Sequence, residues 1–137
     1  MRAVLDPNVI ISALLAPGGT PAKVLRAWLE GAYGLVGSPL LIAELERALA
    51  YPKLRKRIEE AEASDLVDLL RREAKMADDP ADPPSVRSPD PGGDYLIALA
   101  AAAHAAIVSG DGHLLGLAEH LPVYSPAAFL ALLEGDA

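Results

Sequence analysis

The sequence contains no cysteine. This absence excludes disulfides, thiolate metal sites and cysteine nucleophiles, so any metal must be bound through oxygen or histidine. Aromatic residues are also scarce, with four tyrosines, one tryptophan and one phenylalanine, which gives little support for a surface that stacks on bases. The longest apolar run covers the fourteen residues 95–108, fewer than the ~20 that a membrane span needs. The N-terminus carries no export signal, and we expect a cytoplasmic protein without a membrane partner.

Composition and charge indicate one globular domain with an uneven charge distribution. The 137 residues are 52% hydrophobic and 23% charged, and we expect a single domain over residues 1–137. Nineteen acidic against twelve basic residues give a net charge of −7, which argues against holding nucleic acid through total charge alone. Seven of the twelve bases fall within residues 53–75, so the positive charge is concentrated in one stretch.

Four helix starts share one device, a capping residue followed by proline at the first helical position. The four pairs are Asp6-Pro7, Thr20-Pro21, Ser38-Pro39 and Ser125-Pro126. Short apolar segments predict strands near residues 2–6, 33–37, 105–109 and 121–124. Helices are predicted near residues 8–15, 21–30, 39–50, 53–60, 65–76, 94–103 and 126–134. This alternation predicts an α/β fold in which helices cover both faces of a mainly parallel sheet.

A proline-rich segment over residues 77–93 interrupts the alternation. It holds five prolines, two glycines and four aspartates, and it is predicted to be a loop with a short strand pairing at residues 85–87. Loops of this length in a compact domain are usually functional or mobile.

Four acidic residues are expected at the carboxyl edge of this sheet, where open parallel sheets bind their ligands. Asp6 and Asp111 each follow a strand. Glu44 lies one turn into the helix after the second strand, and Asp94 begins the helix before the third. Each also has an ordinary explanation as a helix cap, a turn residue or a solvated helix position. Helical periodicity does not choose between Glu44 and Glu46, because both flank the apolar stripe of their helix.

Three segments resemble the motifs of PIN-domain proteins. Residues 4–15 match an opening pattern of apolar strand, Asp, any residue, Asn and apolar helix. Residues 44–53 resemble the second acidic motif and favour Glu44 over Glu46, and residues 107–115 resemble the closing motif, in which Thr or Ser precedes the last Asp by two. The resemblance spans residues 2–115. It implies a three-layer α/β/α PIN-like domain with four or five strands, and a metal-dependent ribonuclease that is often the VapC-like toxin of a bacterial toxin–antitoxin pair.

A site made only of carboxylates suits Mg²⁺ or Mn²⁺, and the resemblance implies the same ions. By that resemblance the catalytic and metal-binding residues are Asp6, Glu44, Asp94 and Asp111. The carboxylates are expected to be oriented by hydrogen bonds from Asn8 and Ser109. The third acid departs from the family pattern, because a shift of one residue moves the expected acid from Asp94 onto Gly93, and Asp90 is the substitute. Pro7 replaces the usual threonine, which a first-turn position tolerates.

The resemblance also implies partners. An RNA substrate, a cognate antitoxin protein and a homodimer are expected, and the three histidines are expected outside the site. Contacts to RNA phosphates are expected from a basic segment that consists of Lys53, Arg55, Lys56 and Arg57. A solvated helix face explains this run of charge equally well. Two alternatives stay open. One is a catalytically weak PIN-like RNA-binding or protein-interaction module, and the other is an aspartate-nucleophile phosphatase or a receiver domain, whose second acid near Asp6 is missing.

Overall fold

In the computed structural model, which describes residues 1–135, five parallel strands form one sheet in the order β3-β2-β1-β4-β5. The strands are β1 (Arg2–Leu5), β2 (Gly34–Gly37), β3 (Lys75–Met76), β4 (Ala106–Val108) and β5 (Val123–Tyr124). The helices are α1 (Pro7–Leu15), α2 (Thr20–Leu29), α3 (Pro39–Leu49), α4 (Pro52–Arg55), α5 (Glu60–Glu73), α6 (Asp94–Ala103), α7 (Gly112–Leu115) and α8 (Pro126–Gly135). The predicted α/β class is confirmed, and the last two residues of the expected domain 1–137 lie outside the described range.

The paired capping residue and proline begin three of the four helices as predicted. The side chains of Asp6, Ser38 and Ser125 accept hydrogen bonds from the backbone N–H of Asn8, Leu41 and Ala128 at 3.0, 3.2 and 3.1 Å. At the fourth start, α2 begins at Thr20 itself, and Gly19 takes the capping position without a side-chain bond. All four helices carry the predicted proline in their first turn, where proline is tolerated.

The hydrophobic core lies on both faces of the three central strands. Val4, Leu5, Ile107 and Val108 have no exposed surface, as expected for parallel strands that helices cover on each side. Behind β5, the ring of the fully buried Phe129 packs edge-on against Tyr33, with 4.9 Å between the ring centroids. Asp6 directly follows β1, and Ser109 directly follows β4.

Three sequence predictions around residues 53–93 are wrong. The helix predicted at 65–76 is α5 (Glu60–Glu73), and its expected last turn instead forms β3, whose Met76 pairs with Gly37 of β2. The free edge of β2 offers backbone hydrogen bonds there, such as Ala77 N to Gly37 O at 2.9 Å. The helix predicted at 53–60 is limited to α4 (Pro52–Arg55), and residues 85–87 form no strand in the described chain.

The carboxyl ends of β1 and β4 lie side by side. Leu5 is paired with Val108, and the backbone N–H of Asp6 donates to Val108 O at 2.9 Å. Asp6 and Ser109 therefore leave the sheet as neighbours at one edge, which we call the carboxyl edge. Within residues 1–135, no helix has the length and apolar character required to cross a membrane.

Candidate metal centre at the carboxyl edge

Asp6 is held in one orientation by two hydrogen bonds. Its Oδ1 accepts from the backbone N–H of Asn8 at 3.0 Å, and its Oδ2 accepts from Ser109 Oγ at 2.8 Å. Asp6 is 7% exposed and Ser109 is fully buried, so the orientation is shielded from competing water. The hydroxyl of Ser109 also accepts from the backbone N–H of Asp111 at 3.0 Å. One buried serine thus links the first and last predicted acids.

Asn8 contributes to this arrangement through its backbone. Its N–H bonds to Asp6, while the residue itself is exposed and lines an open groove together with Ser12, Gly110 and Asp111. The predicted role of Asn8 in orienting Asp6 is thus performed by a backbone group, whereas its side chain faces the groove. The groove is also lined by Asp111, whose backbone N–H donates to Ser109.

Glu44 and Tyr95 bring α3 and α6 to the same place. Glu44 is half-buried, whereas Glu46 is exposed and pairs with Arg71 at 2.9 Å, so the two glutamates face different surroundings. Burial raises the pKa of the Tyr95 hydroxyl, and its side-chain hydrogen bond with Glu44 and the negative charges of Glu44 and Asp6 raise the pKa further. Tyr95 Oη is inaccessible to solvent. Asp6 and Glu44 therefore both lie close enough to Tyr95 to affect the pKa of its hydroxyl.

Asp79 is an acid of this region that sequence reasoning missed. Its Oδ2 accepts from the backbone N–H of Leu40 in the first turn of α3 at 3.0 Å. Its Oδ1 is inaccessible and unpartnered within the described chain, and its charge also raises the pKa of Tyr95. Nothing in the pattern of the proline-rich loop distinguishes Asp79 from the adjacent Asp78.

Asp94 is bound on both of its oxygens by the preceding loop. Arg87 Nε donates to Oδ2 at 2.7 Å, and the backbone N–H of Ser88 donates to Oδ1 at 2.8 Å. These bonds, above all the one from Ser88, hold the pKa of Asp94 below its ordinary value. Asp94 thus fastens the loop to the start of α6 and already has a cationic partner.

Asp90, the predicted substitute for Asp94, lies with Asp111 and His113. One ligand atom from each comes within 4.8 Å of the others, the one such trio of potential metal ligands in the described chain. Asp111 Oδ1 also accepts from the backbone N–H of His113 at 3.1 Å. His113, which the sequence analysis left outside the site, therefore lies at its rim. Asp6, Glu44 and Asp94 are not part of this trio, so the structure does not gather the four predicted acids into one tight group.

The basic segment lies at the other end of α3. This helix begins at the carboxyl edge, and its eleven residues lead about 16 Å away from it before α4 begins. The four residues predicted to bind phosphate are exposed: Lys53, Arg55, Lys56 and Arg57. Arg55 pairs with Glu60 at 3.2 Å. His104 is exposed at the end of α6, where it adopts a left-handed backbone with φ of 52°.

The charges at the carboxyl edge are unbalanced. No Lys, Arg or His within residues 1–135 comes within 4.0 Å of the carboxylates of Asp6, Glu44 or Asp79. Like charges in a shielded site repel one another, and hard divalent cations prefer such oxygen donors. The donor chemistry therefore suits a hard divalent cation.

Comparison with known proteins identifies the fold. The profile of the PIN domain family matches residues 2–113, which is most of the chain. The chain belongs to the PIN domain family. The resemblance seen in the sequence motifs is thereby confirmed, as is the α/β/α architecture with a parallel sheet. PIN domains are nucleases that typically use divalent metals.

Two further comparisons found a solved structure and another protein that are similar to this PIN domain. A chain in the crystal structure of VapBC2 from Rickettsia felis, bound to a DNA fragment from their promoter, aligns with a TM-score of 0.59 and 15% identity. The alignment covers 91% of this chain and 98% of that chain, which shows a shared fold. An uncharacterised protein of Methanocaldococcus jannaschii is 39% identical over 56 residues, or 41% of this chain. That match spans 36% of the archaeal protein, about a third of its length.

Proposed function

We propose that this PIN domain is a metal-dependent endoribonuclease that hydrolyses RNA phosphodiester bonds, the toxin of a type II toxin–antitoxin pair. The observation that carries the proposal is the fixed, buried Asp6 at the carboxyl edge, held by Ser109 at 2.8 Å without a neutralising cation from residues 1–135. Family membership supplies the reaction class. The alternative that Asp6 is a phosphoryl acceptor gains no support, because Asn8 stands two residues after Asp6, where such phosphatases carry a second aspartate.

The proposed ligands of Mg²⁺ or Mn²⁺ are the four predicted acids: Asp6, Glu44, Asp94 and Asp111. Asp90 is the substitute for Asp94. When bound, the ion would supply polarisation of the scissile phosphate and a water that is nucleophilic at neutral pH. Arg87 Nε donates to Asp94 Oδ2 at 2.7 Å, and its positive charge opposes a cation bound to the same carboxylate. Of the predicted acids, Asp94 therefore has the strongest competing partner.

The chain's own residues have separable tasks in this proposal. Ser109 donates to Asp6 and holds its carboxylate in one orientation. Glu44, half-buried and close to Tyr95, is the candidate to orient the attacking water and accept its proton. The open groove beside Asn8 and Asp111 gives the sugar–phosphate backbone of the substrate access to the carboxyl edge.

Partners follow from the same proposal. The Rickettsia structure holds a VapBC2 complex on promoter DNA, which supports a cognate antitoxin for this chain as well. A homodimer and a cytoplasmic location complete the proposed setting. The exposed basic segment would contact RNA phosphates only if the substrate also reached the far end of α3. This segment consists of Lys53, Arg55, Lys56 and Arg57.

Paired variants on α3 test the proposal. The purified protein is incubated with a panel of RNAs and Mn²⁺ or Mg²⁺, beside Asp6→Asn, Glu44→Gln and the matched control Glu46→Gln. We expect the wild type to cleave RNA and EDTA to abolish this cleavage. The cleavage rate should fall at least a hundredfold in Asp6→Asn and Glu44→Gln, and it should stay within twofold of the wild type in Glu46→Gln. Cleavage that persists in Asp6→Asn, or that falls equally in both glutamate variants, would contradict the proposal.

A second candidate function is a catalytically weak module that binds RNA or protein. The ion pair between Arg87 and Asp94 and the glycine at position 93 favour it, since both reduce the carboxylates available to a metal. RNA binding that is unchanged by EDTA, without cleavage on any RNA of the panel, would decide for this alternative.

A further inference from the structure

One face of α3 leads from Glu44 to an exposed aromatic ring. Residues three, four and seven apart share a helix face, and Arg47 and Tyr51 follow Glu44 by three and seven residues. Tyr51 comes directly after the C-cap of α3, and its φ of −62° is helical, so its Cβ stays in phase with the helix. Tyr51 is 58% exposed, more than any other large hydrophobic residue of residues 1–135.

Bases without an acidic partner lie along the same line. Arg47 is exposed one turn beyond Glu44, and no carboxylate of residues 1–135 lies within 4.0 Å of its guanidinium. Lys53 and Lys56 follow in α4 and at its C-cap, where both are exposed and equally unpaired in the described chain. Like charges three residues apart on a helix repel one another, so an anion that binds between these lysines relieves that repulsion.

These side chains together form a surface that we call the α3 track: Arg47, Tyr51, Lys53 and Lys56. A solvated helix face explains the two lysines when they are taken alone. It leaves unexplained why an exposed ring and an unpaired arginine lie between those lysines and Glu44. Cations that bind phosphates, combined with an aromatic ring on which a base stacks, are the usual means of binding a single nucleic-acid strand.

We propose that the α3 track is the docking surface for a single-stranded RNA substrate. This inference rests on the proposed function, since it extends along α3 the strand that is cut at the carboxyl edge. Arg47 and the two lysines bind backbone phosphates, and a base stacks on Tyr51. Because seven residues of helix rise by roughly 10 Å between Glu44 and Tyr51, an RNA must span this length to use the whole track.

Matched lysine pairs test the track. Binding of a fluorescently labelled single-stranded RNA of about 12 nucleotides is measured by anisotropy in EDTA, which prevents metal-dependent cleavage. The wild type is compared with Lys53→Gln/Lys56→Gln and with the control Lys23→Gln/Lys75→Gln, which removes the same charge from exposed positions elsewhere. We expect the dissociation constant to rise at least tenfold in the track pair and less than twofold in the control pair.

Salt dependence separates the phosphate contacts from stacking. Each contact to a single-strand phosphate contributes about 0.7 to the slope of log affinity against log salt, so the track pair should lower this slope by about 1.4. Tyr51→Leu keeps an apolar side chain but removes the aromatic face, and it should weaken binding at least fivefold without changing the slope. A dinucleotide is too short to reach Tyr51 from the carboxyl edge, and its affinity should not respond to Tyr51→Leu.

Each other outcome contradicts a stated part of this reasoning. Equal losses in the two lysine pairs, or no RNA binding by the wild type, would overturn the track. Polyglutamate that binds more tightly than RNA, and loses affinity in the track pair, would assign the surface to an acidic protein partner instead. EDTA-sensitive cleavage with unchanged RNA affinity in Tyr51→Leu and the track pair would overturn the track and leave the proposed function standing. The expected binding pattern without any cleavage would retain the track and overturn the proposed function.

Discussion

Replacement of Ser109 by alanine tests how the carboxyl edge is built. The fully buried hydroxyl donates to Asp6 at 2.8 Å and accepts from the backbone N–H of Asp111 at 3.0 Å. Loss of the bond to a carboxylate costs about 1.5–3 kcal/mol, and loss of the backbone bond about 0.5–1.5 kcal/mol. We therefore expect the free energy of unfolding to fall by roughly 2–4 kcal/mol, because alanine leaves both partners without a replacement.

This loss translates into a measurable change in melting temperature. An unfolding entropy of about 2.1 cal/mol/K per residue over 137 residues means that each kcal/mol shifts Tm by roughly 3.5 °C. Ser109→Ala should therefore lower Tm by roughly 7–14 °C in EDTA. The matched control is Ser125→Ala, which removes an exposed helix cap at 3.1 Å and should cost about 1 kcal/mol, or roughly 3.5 °C.

The same variants separate stability from metal binding. Because residues that orient a metal ligand typically contribute ~10–100-fold to affinity, Mn²⁺ should bind correspondingly weaker to Ser109→Ala and unchanged to Ser125→Ala. Differential scanning fluorimetry in EDTA and calorimetric titration with Mn²⁺ measure the two effects. A Ser109→Ala protein that melts no lower than Ser125→Ala would show that the buried link contributes nothing, and the reasoning about Asp6 would be refuted.

Three further outcomes are expected. Phe129→Ala should lower the free energy of unfolding by about 3–5 kcal/mol in chemical denaturation, because it empties a fully buried site against Tyr33; a loss below ~1 kcal/mol would contradict the packing. Because the folded protein lowers the pKa of Asp94, this residue stabilises the fold above its ordinary pKa, and the contribution is lost as pH falls through the lowered pKa. Arg87→Gln should therefore reduce the fall of Tm at acid pH. An unchanged dependence of Tm on pH would refute the pairing of Arg87 with Asp94. Gly31→Ala should destabilise by about 1 kcal/mol, since φ is 85°, and an unchanged Tm would oppose this.

Sequence reasoning succeeded where one local rule decides the outcome. The strands 2–6 and 105–109 and the capping residue at position 6 are set by apolar runs and by a first-turn proline, and they place Asp6 beside Ser109. The choice of Glu44 over Glu46 by motif resemblance stays a prediction; Glu44 is half-buried, while Glu46 pairs with Arg71 on the surface. Helical periodicity alone did not separate these two residues, since both flank the apolar stripe.

Sequence reasoning failed where pairing over distance decides. The strand β3 has two exposed residues and no alternation, so its pairing with β2 is set by an available edge and not by its own pattern. The bonds from Asp79 to Leu40 and from Arg87 to Asp94 join residues of a proline-rich loop to helix starts, and no periodicity describes that loop. The orientation of Asp94 depends on those bonds, because a step of one residue turns a helical side chain by ~100°.

The positive charge of residues 1–135 pairs with acids away from Asp6 and Glu44. Arg71 and Arg55 pair with glutamates on the surface, and Arg87 pairs with Asp94. The acids nearest Tyr95 receive no such partner from residues 1–135, although the loop that brings Asp79 also carries Arg87. A fold selected only for stability would gain by extending a base to them, since isolated buried charge is costly. The unneutralised group therefore supports the proposal of a divalent ion at this edge.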